Sequence, residues 1–167
     1  MILSTGMSSL KDIELALNVL NKFGTPMNKI TVLHCNSSYP TQPKDANLRA
    51  MTTIQKHFNV NVGYSDHTTE IETAIIAVSL GAKIIEKHFT LNKNFNGPDH
   101  KSSIDIKDLK KMILSIRKTE KLLGSSKKFV TKSEKKNIDY VRKSIVASNF
   151  IKKGEIFSEK NLTTKRP

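Results

Sequence analysis

Apolar residues follow two spacings along the chain, one typical of buried strands and the other of amphipathic helices. Short apolar runs predict strands at 2–3, 30–34, 60–64 and 82–87. Between and after these runs, apolar residues three or four positions apart predict helices over 9–22, 47–58, 70–80 and 106–123. Glycines follow three of the helical stretches and Asp105 precedes the last, as expected of helix ends. Strands that alternate with helices of this length predict a parallel sheet.

Four such βα units fit two architectures, half of an eightfold barrel or most of a small open sheet. Residues 1–4, Met-Ile-Leu-Ser, begin inside a predicted strand without the residues that would complete it. We therefore expect an α/β fold in which residues 1–124 form the C-terminal half of a (β/α)8 barrel of the TIM type. A self-sufficient doubly wound domain is the less favoured alternative.

The composition changes after residue 124. Residues 125–142 are rich in lysine and serine and poor in apolar side chains, which predicts a linker. Two short stretches, at 144–147 and 151–157, then predict strands joined by a turn. Because so short a segment buries no core of its own, we expect residues 143–167 to be a truncated domain.

The chain carries a formal net charge of +13, which raises the question of a nucleic-acid partner. Residues 1–100 hold 9 Lys and Arg against 8 Asp and Glu, whereas residues 101–167 hold 19 against 7. Aromatic residues are few in the basic half, and nucleic-acid interfaces usually interleave aromatic or arginine side chains with the charge. We interpret the excess as a solvated lysine-rich surface and expect no nucleic-acid partner.

The cellular compartment is predicted by what the sequence lacks. A single cysteine, Cys35, excludes a disulfide framework and fits a reducing environment. The longest apolar runs, such as residues 74–78, are too short to span a bilayer, and the N-terminus has no signal-peptide pattern. We expect a cytoplasmic protein with no membrane partner.

Two histidines occupy equivalent places in successive βα units. His67 follows the third predicted strand and His88 follows the fourth, each where the chain turns toward its next segment. The carboxyl ends of parallel strands form the mouth at which α/β folds bind ligands. Two imidazoles with oxygen ligands and water suit Mn²⁺, Fe²⁺, Co²⁺ or Zn²⁺, whereas either histidine alone is simply explained as a hydrogen-bonded residue at a strand end. Because the histidine recurs at equivalent places, a metal site and two ordinary hydrogen-bonded histidines both stay open as interpretations.

Alternation along the strands brings further polar side chains to this mouth. Ser65 shares a face of its strand with His67, and Glu86 shares a face of the next strand with His88. If the two strands are adjacent, these four side chains converge. Glu86 is then a candidate catalytic carboxylate, and we expect it to order a water molecule on the metal.

Three loops at the same end carry weaker signals. Residues 4–6, Ser-Thr-Gly, place hydroxyls before a helix N-terminus, and residues 34–40 offer hydroxyl and amide groups to anionic oxygens. Residues 97–101, Gly-Pro-Asp-His-Lys, follow the fourth strand. There, Asp99 is suited to bind sugar hydroxyls or transfer a proton, and Lys101 to neutralise an anion. Taken alone, each segment is a weak signal, because such residues are ordinary loop material and more often form a turn than a site.

The ordered set of motifs is more specific than any one of them. It comprises Ser-Thr-Gly-Met at 4–7, His-Cys-Asn-Ser-Ser-Tyr-Pro-Thr at 34–41, Gly-Tyr-Ser-Asp-His-Thr at 63–68, Ala-Lys-Ile-Ile-Glu-Lys-His-Phe-Thr at 82–90 and Gly-Pro-Asp-His-Lys at 97–101. Together they resemble the N-acetylneuraminate (sialic acid) synthase family, which includes legionaminate and pseudaminate synthases. The segment at 143–167 resembles the start of that family's antifreeze-like (SAF) domain.

The resemblance implies a reaction and a set of partners. Phosphoenolpyruvate condenses with an N-acetylmannosamine-type sugar to give a nine-carbon 2-keto acid and phosphate. A divalent metal, usually Mn²⁺, activates the sugar aldehyde. The family's enzymes are homodimers in which the antifreeze-like domain of one subunit reaches the barrel of the other.

The resemblance also assigns roles to residues of this chain. His67 and His88 bind the metal, and Asp99 faces the sugar. Arg166 reaches from the antifreeze-like domain into the partner subunit's barrel. The serines that line the phosphoenolpyruvate site are Ser4, Ser37 and Ser65.

Three hypotheses about function follow. The chain is part of a synthase completed by strands from elsewhere, a catalytically dead remnant, or a basic binding module with vestigial enzyme-like residues. The family's first barrel half supplies acidic and lysine side chains that bind substrate, and no residue of this chain replaces them. We therefore predict little or no activity for the chain alone. For the sugar, a legionaminate synthase fragment is the alternative to the sialic acid type.

Overall fold

Strands and helices alternate through the first 124 residues of the computed structural model, which describes all 167 residues. The strands are β1 (Ile2–Ser4), β2 (Thr31–Cys35), β3 (Asn61–Asp66) and β4 (Ile85–Lys87). The helices are α1 (Leu10–Lys22), α2 (Arg49–Phe58), α3 (Glu72–Ser79) and α4 (Ile106–Leu123). Single 3-10 turns at Met27–Lys29 and Pro43–Asp45 precede β2 and α2.

The four strands are parallel and lie in the sheet in chain order, β1-β2-β3-β4. A doubly wound sheet reverses its strand order at a switch point, whereas a barrel keeps the order of the chain. The helices also pack on one face of the sheet, because core residues of α1, α2 and α3 share one cluster with those of β2 and β3. The predicted α/β fold with the parallel sheet of a half-barrel is confirmed.

The helix-facing side of the sheet forms the core. Val32, Val62 and Tyr64 are buried there against α1 and α2. A second cluster packs α3 on α4, and its buried members are Ile71, Ala74, Ile104 and Met112. A valine, isoleucine or methionine side chain contributes about 1.5–3 kcal/mol when fully buried. By alternation, Cys35, Ser65 and Glu86 are left on the opposite face, called the open face below.

Local signals explain where the helices begin and end. Ser9 caps α1 in a reciprocal capping box with Asp12, and the Asp105 side chain accepts two backbone N–H groups at the start of α4. Helix α2 begins at Arg49 rather than at the predicted residue 47, because Asn47 adopts a left-handed backbone with φ 41°. The predicted strand 82–87 is shortened to β4, because the Ala82 N–H bonds back to the Ala77 carbonyl at the end of α3.

Residues 125–167 form a separate unit. It contains helices α5 (Lys132–Lys135) and α6 (Ile138–Val141), which lie within the segment predicted as a linker, and strands β5 (Ser144–Ala147) and β6 (Leu162–Lys165). The two strands pair antiparallel, Ser144 opposite Lys165.

The strand predicted over residues 151–157 is wrong. Strand β5 pairs instead with β6, and the intervening chain turns at Gly154, whose φ is 87°. The Glu155 N–H bonds to the Lys152 carbonyl, and the Lys152 N–H bonds to the Glu155 carboxylate. This local turn competes with strand pairing because the Lys-Lys-Gly-Glu sequence satisfies its own backbone groups.

The helices of this chain are either short or rich in lysine. None of them combines the length and the apolar character that crossing a bilayer requires.

Candidate active site

The open face of the sheet carries a row of polar side chains near the carboxyl ends of the strands. Cys35 is the register partner of Ser65, and Ser65 is the partner of Glu86. The Ser65 hydroxyl donates a hydrogen bond of 2.6 Å to Glu86 Oε1, and Ser4 Oγ lies 3.5 Å from Cys35 Sγ. The strands are adjacent, so the structure brings Ser65 and Glu86 together as alternation predicts.

His67 and His88 directly follow β3 and β4 and lie side by side. Their ring centroids are 5.3 Å apart in an edge-to-face arrangement. His67 Nδ1 lies 2.6 Å from the Asn36 carbonyl oxygen, which only accepts hydrogen bonds, so Nδ1 donates and carries the proton. In the neutral ring this tautomer leaves the lone pair on Nε2.

The His67 Nε2 lone pair has no hydrogen-bond donor. Its neighbour is Ser65 Oγ at 3.3 Å, but the single proton of that hydroxyl is donated to Glu86. A histidine whose Nδ1 donates to a backbone carbonyl while Nε2 stays free is oriented as metal-ligating histidines are. The donor chemistry of His67 therefore fits a divalent metal.

The protein ligands in this chain do not complete a metal site. No group of three or more His, Cys, Asp and Glu side chains is arranged to hold a metal ion. Two imidazoles leave at least two coordination positions for water, substrate oxygens or groups outside this chain. The sequence-predicted ligands His67 and His88 are thus adjacent but are a partial set.

Asp99 lies next to His88 on the loop that follows β4. The distance from Asp99 Oδ2 to His88 Nδ1 is 3.8 Å. The Asp99 carbonyl accepts hydrogen bonds from Ser102 and Ser103, and His100 Nδ1 is 2.8 Å from Thr90 Oγ1, which anchors the loop.

Lys101 follows on the same loop and is exposed. It makes no ion pair in the structure, so its ammonium group is available to an anion.

Ser4 is the last residue of β1 and Ser37 lies on the turn after β2, and both are exposed. The turns after β1 and β2 approach closely because Gly6 lies between them: a Cβ atom at that position would collide with the Ser37 hydroxyl. The structure therefore leaves three serine hydroxyls, those of Ser4, Ser37 and Ser65, on turns or strands at one end of the sheet.

His34 belongs to the same motif as Ser37 but faces the helices. Its Nε2 donates a 3.0 Å hydrogen bond to the Ala46 carbonyl, and burial lowers the pKa of its imidazole. Strand alternation separates His34 from Cys35, which lies on the open face.

A family model described as the NeuB family matches residues 1–128. The chain belongs to the NeuB family. The resemblance to sialic acid synthases that the motifs predict is confirmed at this level. The match ends before residues 143–167, so their likeness to an antifreeze-like domain stays a prediction.

Several of the proteins that this chain resembles are named as sugar-acid synthases. The chain is 55% identical over 166 residues to N,N'-diacetyllegionaminic acid synthase of Campylobacter jejuni, covering 99% of this chain and 50% of that protein. It is 36% identical over 167 residues to human N-acetylneuraminate-9-phosphate synthase, covering 99% of this chain and 45% of that protein. The chain therefore spans about half the length of the curated relatives it matches.

A solved structure extends the likeness to three dimensions. The crystal structure of N-acetylneuraminic acid (sialic acid) synthetase from Leptospira borgpetersenii in complex with citrate superposes with a TM-score of 0.75 at 38% identity, over 83% of this chain and 48% of that one.

Tyr39 is a site residue of this NeuB-family chain that sequence reasoning missed. Its ring centroid lies 4.2 Å from that of His67 and 5.3 Å from that of His88, although 51% of the residue is exposed. It stands in the motif at 34–41, but no spacing distinguishes a ring that covers the histidines from one that faces solvent. Asn36 was missed as well, because it acts through its carbonyl.

Arg166 is the predicted site residue that belongs to the other unit of this NeuB-family chain. It follows β6 directly and is exposed.

Proposed function

We propose that this chain supplies the metal-binding half of a synthase that condenses phosphoenolpyruvate with an N-acetylmannosamine-type sugar. The products are a nine-carbon 2-keto acid and phosphate. The observation that carries the proposal is the donor-free Nε2 lone pair of His67, which lies beside His88 and the Ser65–Glu86 hydrogen bond at the carboxyl ends of adjacent strands. The synthase names of its relatives support the reaction class.

The two histidines hold a divalent metal, which we expect to be Mn²⁺. When bound, the metal supplies Lewis-acid polarisation of the sugar aldehyde, which favours attack by the nucleophilic carbon of phosphoenolpyruvate. The chain's own contribution is orientation: the Asn36 carbonyl fixes the His67 tautomer, and the Tyr39 ring covers one side of the imidazole.

Glu86 is the candidate general acid–base group. One carboxylate oxygen accepts the Ser65 hydroxyl, while Oε2 makes no hydrogen bond within the chain and is free to hold a water molecule. Water adds to the phosphoenolpyruvate carbon in this reaction, and a carboxylate aimed at that water accepts its proton as the bond forms.

Asp99 and Lys101 are proposed to bind substrate from the loop after β4. The Asp99 carboxylate is half-exposed beside His88, where it accepts hydrogen bonds from sugar hydroxyls. Lys101 is free of ion pairs and neutralises part of the charge of phosphoenolpyruvate.

The charge of phosphoenolpyruvate requires more than this chain offers. The hydroxyls of Ser4, Ser37 and Ser65 are neutral donors, which bind anions less strongly than charged groups do. Lys87, the lysine next to the histidines, is already paired with Asp66. We therefore propose that activity requires cationic groups from the half of the synthase that this chain does not span.

A second candidate concerns the sugar. Identity of 55% to N,N'-diacetyllegionaminic acid synthase favours a sugar with two N-acetyl groups over N-acetylmannosamine itself. Because the loops at this end of a barrel carry substrate specificity, the two substrates are best separated by assay.

The test is sugar-dependent phosphate release from phosphoenolpyruvate with Mn²⁺, using each sugar in turn. The chain is assayed alone and mixed with the N-terminal half of the Campylobacter relative. We expect release only in the mixture, its loss in His67→Ala, and its retention in His57→Ala, which removes an exposed histidine of α2. Undiminished release by His67→Ala would contradict the metal role.

A further inference from the structure

A buried ion pair lies behind the two histidines, on the helix-facing side of the sheet. Lys87 Nζ is 2.8 Å from Asp66 Oδ2, and the side chains are 3% and 0% exposed. The two residues are register partners in β3 and β4. Each of them directly precedes a histidine, so the pair connects the last positions of both strands before the chain reaches His67 and His88.

The pair also holds the backbone beyond His67. Asp66 Oδ1 accepts hydrogen bonds from the Thr68 N–H at 2.9 Å and from its hydroxyl at 2.7 Å. Lys87 Nζ donates a second hydrogen bond, of 2.7 Å, to the Thr68 carbonyl. Thr68 is itself buried, and its hydroxyl lies 3.0 Å from Thr73 Oγ1 in α3. Residues on both sides of His67 are therefore fixed to the residue that precedes His88.

Stability alone does not account for this arrangement. Removing two charges from water offsets most of their attraction, and a buried pair is often replaced by apolar residues with little loss of stability. The surroundings are suited to apolar residues, because Tyr64 and Ile85 lie in the adjoining core. Apolar side chains lack directional contacts. Four charge-assisted hydrogen bonds join Asp66, Lys87 and Thr68, and the two donated by Lys87 fix the offset between the two strand ends.

We propose that the Asp66–Lys87 pair is a positioning element that sets the separation and ring orientation of His67 and His88. The proposal rests on the proposed function, in which these histidines bind a divalent metal. Both charged side chains point away from the open face, so the pair acts through the histidines and not on substrate. It holds His67 so that its Nδ1 meets the Asn36 carbonyl and its Nε2 stays free.

The test removes both charges while keeping the volume. The double variant Asp66→Asn/Lys87→Met leaves no unpaired buried charge, so it separates positioning from stability. The matched control is Lys93→Met/Asp108→Asn, which removes an ion pair of 2.6 Å whose side chains are 38% exposed. Co²⁺ alone is titrated against the full chain by visible absorbance, with His67→Ala defining the background and thermal unfolding monitoring the fold.

A second readout needs no metal. Long-range ¹H–¹⁵N correlations of the imidazole report which His67 nitrogen carries the proton. We expect the double variant to lose the single Nδ1–H tautomer, or to bind Co²⁺ about tenfold to hundredfold more weakly, as is typical when support of a metal ligand is removed. The control keeps both properties.

A folded double variant with wild-type Co²⁺ affinity and an unchanged His67 tautomer would overturn the positioning role. If the double variant does not fold, Asp66→Glu, which keeps the charges and moves the carboxylate, is measured in the same way. If wild-type protein and His67→Ala bind Co²⁺ equally, the proposed metal function fails. The tautomer measurement then still decides the positioning role.

Discussion

The two faces of β3 and β4 use polar side chains in opposite ways. On the helix-facing side, Asp66 and Lys87 are buried and every hydrogen-bonding atom described has a partner within 3 Å. On the open face, His67 Nε2 and Glu86 Oε2 receive no hydrogen bond from a donor within the chain. Polar groups that are fully paired hold the strands together, whereas unused hydrogen-bonding capacity marks the open face as the candidate ligand-binding face.

Breaking the Asp66–Lys87 ion pair on the helix-facing side has the largest expected effect on stability. Lys87→Met leaves the Asp66 carboxylate buried without its counter-ion, which costs about 3–5 kcal/mol of the free energy of unfolding. Lys93→Met, in the half-exposed pair with Asp108, changes it by about 0–1 kcal/mol. Urea unfolding of both variants measures the difference. Equal losses would mean that burial does not distinguish the two ion pairs.

Removing the Ser65–Glu86 hydrogen bond on the open face is expected to affect activity more than stability. Ser65→Ala removes the hydrogen bond to Glu86 and changes the free energy of unfolding by about 1 kcal/mol. Sugar-dependent phosphate release by the mixture with the complementary half is expected to fall, because Glu86 loses its orientation. If Ser65→Ala is strongly destabilised yet retains full phosphate release, this expectation is wrong.

His34, on the helix-facing side, is expected to make stability depend on pH. Burial lowers the pKa of its imidazole in the folded chain, so the unfolded chain binds a proton more readily. Stability from this residue is therefore fully present above the unfolded pKa of about 6.5 and is lost as pH falls below it toward the folded value. Urea midpoints between pH 7 and 5 are expected to fall less steeply in His34→Gln. An unchanged slope would assign the acid sensitivity to other groups.

Tyr64 is the exception on the helix-facing side and has the smallest expected effect. Its hydroxyl is buried without a hydrogen-bond partner, and burial raises its pKa far above the ordinary value. Tyr64→Phe removes an unsatisfied polar group and is expected to leave stability unchanged or raise it by up to about 1 kcal/mol. Thermal unfolding against Tyr140→Phe, at an exposed tyrosine, provides the comparison. A clear loss of stability would show that the hydroxyl has a partner.

Sequence patterns predicted those parts of the site that depend on strand periodicity. Alternation placed Ser65 with His67 and Glu86 with His88, and the chain-order sheet made the two strands neighbours. These relations are local, because the period of a strand fixes which side chains share a face.

Relations between distant segments were not predictable in the same way. Nothing in the spacing shows that the Tyr39 ring turns over the histidines, because loop conformation depends on contacts with β3 and β4. Strand alternation predicts that Asp66 points away from the open face, but it does not identify Lys87 as its partner. The pairing of β5 with β6, rather than with residues 151–157, likewise depends on a long connection whose course the pattern does not specify.

The brevity of β4 has a consequence for insertions and deletions. Within its three residues, Glu86 belongs to the open face and Lys87 to the buried pair. A change of one residue in the length of this strand exchanges the two environments, driving the carboxylate into the core and the ammonium group toward substrate. The exposed turns that follow α1 and α2, at Gly24 and Asn59, carry none of the candidate site residues and have no such constraint. Lineages of this protein are therefore expected to vary in length in those turns while the stretch between Ile85 and His88 keeps its residue count.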